Sequence, residues 1–155
     1  MSQRHPQIKE VTIPNEVLLP AIVDLLNEGH TVTLRLRGNS MRPYLQNNRD
    51  CALLRKATEP TVGEPVLAEI APGKFVFHRI IRIDKDDVVL QGDGNIGVER
   101  CRLYDVKAQT IGFYRKGRKK LETIPNCRWN VYSFLWTKTL RLRPYMLRIM
   151  RIFSF

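Results

Sequence analysis

Three short stretches of the chain carry residue types that could do chemistry together. The first is Gly38-Asn39-Ser40-Met41-Arg42-Pro43, where glycine and proline bracket a turn with a serine inside it. Gly38 permits backbone angles closed to other residues, so the Ser40 hydroxyl and amide can both be presented to solvent. A nucleophilic serine needs that exposure plus a neighbouring base. Serine and asparagine are also ordinary turn residues, so this stretch alone does not specify catalysis. The second is His78, in the run Lys74 to Ile83, on the same face as Val76 and Ile80 and opposite Phe75 and Phe77. Imidazole is the side chain that takes up and releases protons near neutral pH. On an apolar face it is also commonly a hydrogen-bonded core residue. His5 and His30 have no comparable setting. The third stretch is Gly92-Asp93-Gly94-Asn95, a turn by itself, followed by Glu99. A carboxylate beside a histidine fixes its tautomer and stabilises the imidazolium as it forms. Asp93 and Glu99 are the two candidates, and spacing puts neither beside His78.

The elements that must position these residues are mostly strands. Residues 1–14 read as a loose lead-in. Leu18, Ile22, Leu25 and Leu26 then recur at i, i+4, i+7 and i+8, with Gly29 as a stop. Proline is tolerated in a helix only near its first turn, so the regular helix is predicted to begin at Pro20. Residues 31–37 alternate, with Val32, Leu34 and Leu36 on one face and Thr33, Arg35 and Arg37 on the other. Strand-like runs follow at 50–55, 65–70, 74–83, 87–91 and 108–115. Turn signals separate them at Asn47-Asn48, Glu59-Pro60, Ala71-Pro72-Gly73, Asp84 to Asp87 and Gly92 to Gly97. The pattern predicts a mainly β fold, a sheet or barrel-like domain with one helix in front. There is no internal repeat and no low-complexity tract.

Composition bounds the rest. A chain of 155 residues, 43% hydrophobic, fits one domain of ordinary size and excludes a disordered chain or a polytopic membrane protein. The net charge of +11 is uneven: residues 115–155 hold eleven Lys/Arg against the single acid Glu122. A field of that sign attracts phosphates of lipid or nucleic acid. Residues 129–155 interleave Trp136, Leu140, Leu147 and Ile149 with arginines. At 100° per residue Arg141, Arg148 and Arg151 lie within about 80° of one another. The expectation is one or two amphipathic helices on a membrane surface or a partner, the alternative being a tail packed on the sheet. Cys51, Cys101 and Cys127 are odd in number and widely spaced, which argues against a disulfide framework or a zinc ribbon and for thiols acting as small hydrophobes. Residues 1–16 carry Glu10, Glu16 and two prolines with no apolar core, unlike a secretory signal. The run Val17 to Leu26 is too short for the roughly 20 residues of a spanning helix.

Taken in order, Gly-Asn-Ser-Met-Arg-Pro, Phe-His-Arg-Ile-Ile and Gln-Gly-Asp-Gly-Asn resemble the signal peptidase family and its relatives, the self-cleaving SOS-type repressors. The family's serine box G-x-S-M-x-P is matched by Gly38, Ser40, Met41 and Pro43. Asn48-Arg49-Asp50 and Val62-Gly63-Glu64-Pro65-Val66 also resemble family segments, and the likeness covers roughly residues 31–115. Val76-Phe77-His78-Arg79-Ile80 is similar to the V-H-R-V box of the archaeal and endoplasmic-reticulum subtype, in which histidine replaces lysine as the base. The resemblance implies Ser40 as nucleophile, His78 as general base, and a third member at Glu99, a longer carboxylate than the family's aspartate. Asp93 in that role, or a Ser-His dyad, stays open. Where some relatives have an oxyanion-binding hydroxyl this chain has Gly38, so the Ser40 amide and Asn39 are the candidate donors. No counterpart of the family's N-terminal membrane anchor is expected from residues 1–30.

The expected architecture is thus a lead-in and helix over 1–30, a signal-peptidase-like coiled β domain over 31–120, and a basic amphipathic tail over 121–155. The expected function is a serine endopeptidase acting on an extended peptide or protein, with small residues near the cleaved bond implied by the resemblance. It needs no cofactor, and no metal signature is present. The expected location is the cytoplasm, with residues 129–155 able to hold the protein peripherally at a membrane. Two other readings remain: an inactive peptide- or lipid-binding module of the same fold, and a nucleic-acid-binding repressor-like protein. The last is disfavoured because no helix-turn-helix pattern precedes the domain.

Overall fold

The computed structural model describes residues 14–152. The opening helix, α1 (Asn15–Asn27), buries Leu19, Ile22 and Leu26 on one face. It begins five residues before Pro20, which corrects the predicted start. The Val17 and Leu18 amides bond the Pro14 carbonyl, so the helix is already nucleated when the proline is reached. It ends at Gly29, whose φ of +91° lies in the left-handed region.

Eight strands follow: β1 (Val32–Arg35), β2 (Cys51–Lys56), β3 (Pro65–Ala71), β4 (Lys74–Asp84), β5 (Asp87–Gln91), β6 (Glu99–Arg102), β7 (Val106–Tyr114) and β8 (Glu122–Thr123). They form one antiparallel sheet in the order β1-β2-β7-β3-β4-β5-β6. β8 takes the edge of β7 that β3 leaves, at Gly112 and Phe113. A Cβ on Gly112 would stand 2.5 Å from the Glu122 carbonyl oxygen, so the tight pairing needs glycine there. The strand-like runs all form strands, and β1 stops two residues short of the predicted end. β6 and β8 went unpredicted because pieces this short have too few residues to show alternation. The sheet coils without closing, and β6 comes back against β3.

Alternation along the strands divides the interior into two cores. Leu67 packs with Leu54, Ala108, Phe113, the inner face of α1 and Trp129, with Phe75 and Phe77 against them. Val66 and Ala68, its neighbours in β3, face the other way with Ile80, Val88, Leu90 and Val106. After β8 the chain forms α2 (Cys127–Lys138), capped by Asn126 accepting from the Trp129 amide at 2.8 Å, and α3 (Arg143–Ile152). Both helices pack one face on the domain, burying Trp129, Trp136, Arg143 and Leu147. Among the described residues no helix is long and apolar enough to cross a membrane. The three cysteines are free thiols. Burial pushes Cys101 up to about 11, with Asp105 adding to it. Cys127 is exposed, so the small-hydrophobe reading fails there: it opens α2 on the solvent side.

Asp50 pins the segment that follows the serine turn. It is fully buried and accepts from the Gln46 amide at 2.9 Å, the Lys116 amide at 2.9 Å and Arg49 Nε at 2.8 Å. Burial pushes its carboxyl up, but these bonds outweigh it and hold the group below the usual carboxylate range. The unfolded chain therefore binds the proton first. The stability Asp50 contributes is complete above the unfolded value of about 3.9 and is lost as pH falls from there through the lower native value. Asp50→Asn is expected to be less stable by about 1–3 kcal/mol at neutral pH and to lose less on acidification. Urea melts at neutral pH and below pH ~4 check this; equal acid sensitivity in the two proteins would contradict it.

Candidate active site

Past β1 the backbone enters the serine turn at Gly38, whose φ of +91° an L side chain adopts only with strain. The Gly38 amide donates to Asn47 Oδ1 at 2.8 Å, and the Arg42 amide to the Asn39 carbonyl at 3.2 Å. Immediately behind, Met41, Tyr44 and Leu45 are buried in the first core. Burying side chains such as Met41 and Leu45 is worth about 1.5–3 kcal/mol each, ample to hold a six-residue turn in place. Arg115 adds a clamp from β8's side, with its guanidinium 3.8 Å from the centre of the Tyr44 ring and a 3.0 Å bond to the Tyr44 carbonyl. Ser40 thus sits half-buried on an anchored turn, with Gly38 and Asn39 exposed beside it.

His78 is 5% exposed, and its Nδ1 lies 2.9 Å from Glu99 Oε2. Register explains the meeting. Ile80 pairs with Leu90 across β4 and β5, and Leu90 with Glu99 across β5 and β6, so these three share a face. His78, two residues from Ile80, lies on that face too. The longer carboxylate spans the diagonal. Asp93 goes elsewhere: it is on the Arg79 side and does not reach the histidine. Ser40 and His78 line one cavity of about 530 Å³, walled by Leu18 and Ile22 of α1, by β1 and by Phe75 and Phe77. No hydrogen bond joins them in this structure. Catalytic contacts commonly tighten only when substrate is bound.

The structure thus sets a buried histidine held by a carboxylate and a turn-mounted serine on the wall of one cavity. The Peptidase S24-like family model matches residues 2–112. The chain belongs to this family. A search of curated proteins gives no match. The S24-like match ends within β7, before β8, α2 and α3.

Those later elements nonetheless reach the site of this S24-like domain. Arg79 and Asp93, both fully buried, form a two-pronged ion pair, Nε to Oδ1 at 2.8 Å and Nη2 to Oδ2 at 2.7 Å. Burial works against the Arg79 charge, but the Asp93 carboxylate outweighs it and holds the guanidinium above its ordinary pKa. Arg79 Nη1 also donates to the Gly63 carbonyl at 2.8 Å and to Ser133 Oγ at 2.6 Å, and the Trp129 ring lies 4.5 Å away. From α2, Tyr132 donates to Asp93 Oδ2 at 2.8 Å and Trp136 Nε1 to the Asp93 carbonyl at 3.0 Å. Burial first, then the Asp93 charge, raises the Tyr132 phenol, which stays a donor. Arg143, its pKa lowered by burial, reaches the Gly92 carbonyl at 3.4 Å.

The loop so held supports the serine turn. The Gly94 amide donates to the Ser40 carbonyl at 2.8 Å. A Cβ on Gly92 would stand 2.5 Å from Ser40 O, and one on Gly94 2.5 Å from Asn39 O. Both glycines are there so two backbones can touch. Sequence reasoning missed Arg79, Tyr132, Trp136 and Arg143 as site residues. The available signal was an arginine next to His78 in a strand buried on both faces, which requires a buried carboxylate opposite.

Proposed function

We propose that the chain is a serine endopeptidase with Ser40 as nucleophile, His78 as general base and Glu99 as the carboxylate that orients it. The observation that carries this reading is the His78–Glu99 pair at 2.9 Å on the wall of the cavity that also holds Ser40. An ionised carboxylate only accepts hydrogen bonds, so the His78 proton belongs on Nδ1 and the lone pair on Nε2. Nε2 takes the Ser40 proton as Oγ bonds the peptide carbonyl carbon. It returns that proton to the amine as the C–N bond breaks, leaving an ester on Ser40. Water then attacks the ester, with Nε2 again accepting the proton, and Ser40 is restored. The Ser40 amide, together with Asn39, is the candidate donor to the oxyanion. Among the described residues β1 has β2 as its sole strand neighbour, and its other edge runs along the cavity toward Ser40. That geometry suits an extended peptide added as a further strand.

The test is a fluorescent phosphonate that phosphonylates activated serines, with the adduct located by mass spectrometry. A single adduct on Ser40, absent from Ser40→Ala, is expected. No adduct on a folded protein would overturn the peptidase reading in favour of a peptide-binding module of the same fold.

A further inference from the structure

The inward faces of α2 and α3 are accounted for by the core and by Asp93. Their outward faces are not. Eight of the fourteen exposed large apolar side chains among the described residues lie between Val131 and Ile152, a concentration far above the rest of the surface. On α2 these are Val131, Phe134 and Leu135, at i, i+3 and i+4; on α3 they are Tyr145, Ile149 and Ile152, with Leu140 and Leu142 in the connection. Exposed Arg128, Lys138, Arg141, Arg148 and Arg151 are interspersed with them, and no acid occurs after Glu122.

We infer that this outward face docks on an anionic lipid bilayer, with the helices lying in the plane of the interface. Apolar side chains enter the acyl boundary while arginines and lysines meet phosphate and carboxylate headgroups. Charge complementarity selects this occupant. A second copy would bring the same basic surface against itself, and a nucleic-acid duplex offers phosphates but nothing to take up Phe134 or Ile149. Neither helix can span, so attachment is peripheral and reversible. The inference does not depend on whether Ser40 is active.

Sedimentation of the full chain with vesicles tests it, using phosphatidylcholine alone against phosphatidylcholine and phosphatidylserine in equal parts. Binding to the mixed vesicles, weakened by salt and much weaker on the neutral ones, is the expected result. A basic residue at an anionic surface is worth about fivefold in partitioning, so Arg148→Gln with Arg151→Gln should lower it by about 25-fold. Phe134→Asn with Ile149→Asn should reduce binding at least as much, while both pairs keep the wild-type circular dichroism and melting temperature. No binding to mixed vesicles, equal binding to both kinds, or unchanged binding in Phe134→Asn/Ile149→Asn would overturn the proposal. So would duplex DNA competing the protein off mixed vesicles with the apolar variant unaffected.

Discussion

His78→Ala is expected to slow acylation of Ser40 by on the order of 10⁴-fold, and Glu99→Gln by about 10²–10³-fold, both in folded protein. Without imidazole the attacking hydroxyl has no acceptor for its proton except water, and the leaving amine has no donor. Removing the nucleophile or the base alone costs nearly as much as removing the whole unit, whereas removing the carboxylate costs less. Glu99→Gln keeps the shape of the side chain but removes the charge that stabilises the imidazolium, and its amide can present N–H where an acceptor is needed. Part of the loss is moderated because the Glu99 side chain is 27% exposed and solvent takes up some of its role. Glu99→Asp separates charge from reach: one methylene shorter, it retains the carboxylate but cannot span the diagonal from β6 to His78. It should fall nearer Glu99→Gln than wild type. Single-turnover phosphonylation of Ser40, which reports activation of the attacking hydroxyl, measures this together with single-turnover acylation by an activated ester, and a peptide competitor reports binding separately. The three variants should bind the competitor as wild type does. Acylation of His78→Ala at the wild-type rate would remove His78 from the mechanism.

The site was legible in the sequence to the extent that it is local. The serine turn was readable because glycine and proline bracket it, and the structure shows φ of +91° at Gly38 where glycine is needed. Glu99 was found as a candidate by position along the chain, and Asp93 stood beside it because no spacing rule tells which of two carboxylates meets a histidine in another strand. That choice depends on register. Ile80, Leu90 and Glu99 line up only once β5 is known to lie between β4 and β6. The same alternation that puts Glu99 on the His78 face puts Asp93 with Arg79 on the opposite one.

The fold shows the same division. Alternation in β3 and β4 separates the two cores and can be read from the residues. That β7 crosses between β2 and β3 is a non-local pairing that no window of sequence contains. The tail was half legible. Its basic, aromatic composition marks an amphipathic segment but not which face turns inward, and Arg143, outside the stripe of Arg141, Arg148 and Arg151, is buried against Gly92 and Trp136. Its burial follows from the backbone carbonyls it finds there, which no pattern within residues 129–155 displays.

Breaking the Arg79–Asp93 pair should be the most damaging single change to the fold. Asp93→Asn leaves a guanidinium with no solvent access and only neutral acceptors, at a cost of about 3–5 kcal/mol. Arg79→Met strands the carboxylate in the same way. The double variant removes both charges, and replacing a buried pair by uncharged groups is often nearly neutral, so Arg79→Met/Asp93→Asn should recover most of either loss. Urea titration of the four proteins gives the coupling directly. The pair also has a local role, since Asp93 is the point where Tyr132 and Trp136 hold the loop whose Gly94 amide supports the Ser40 carbonyl. Gly94→Ala leaves the pair in place yet forces the Asn39 oxygen from a 2.5 Å approach. It should therefore slow acylation of Ser40 more than its effect on stability would suggest, whereas Asp93→Asn lowers both together. Stability of Asp93→Asn within ~0.5 kcal/mol of wild type, or a double variant no more stable than the singles, would show that the aromatic cover of α2 rather than the ion pair holds this loop behind the serine.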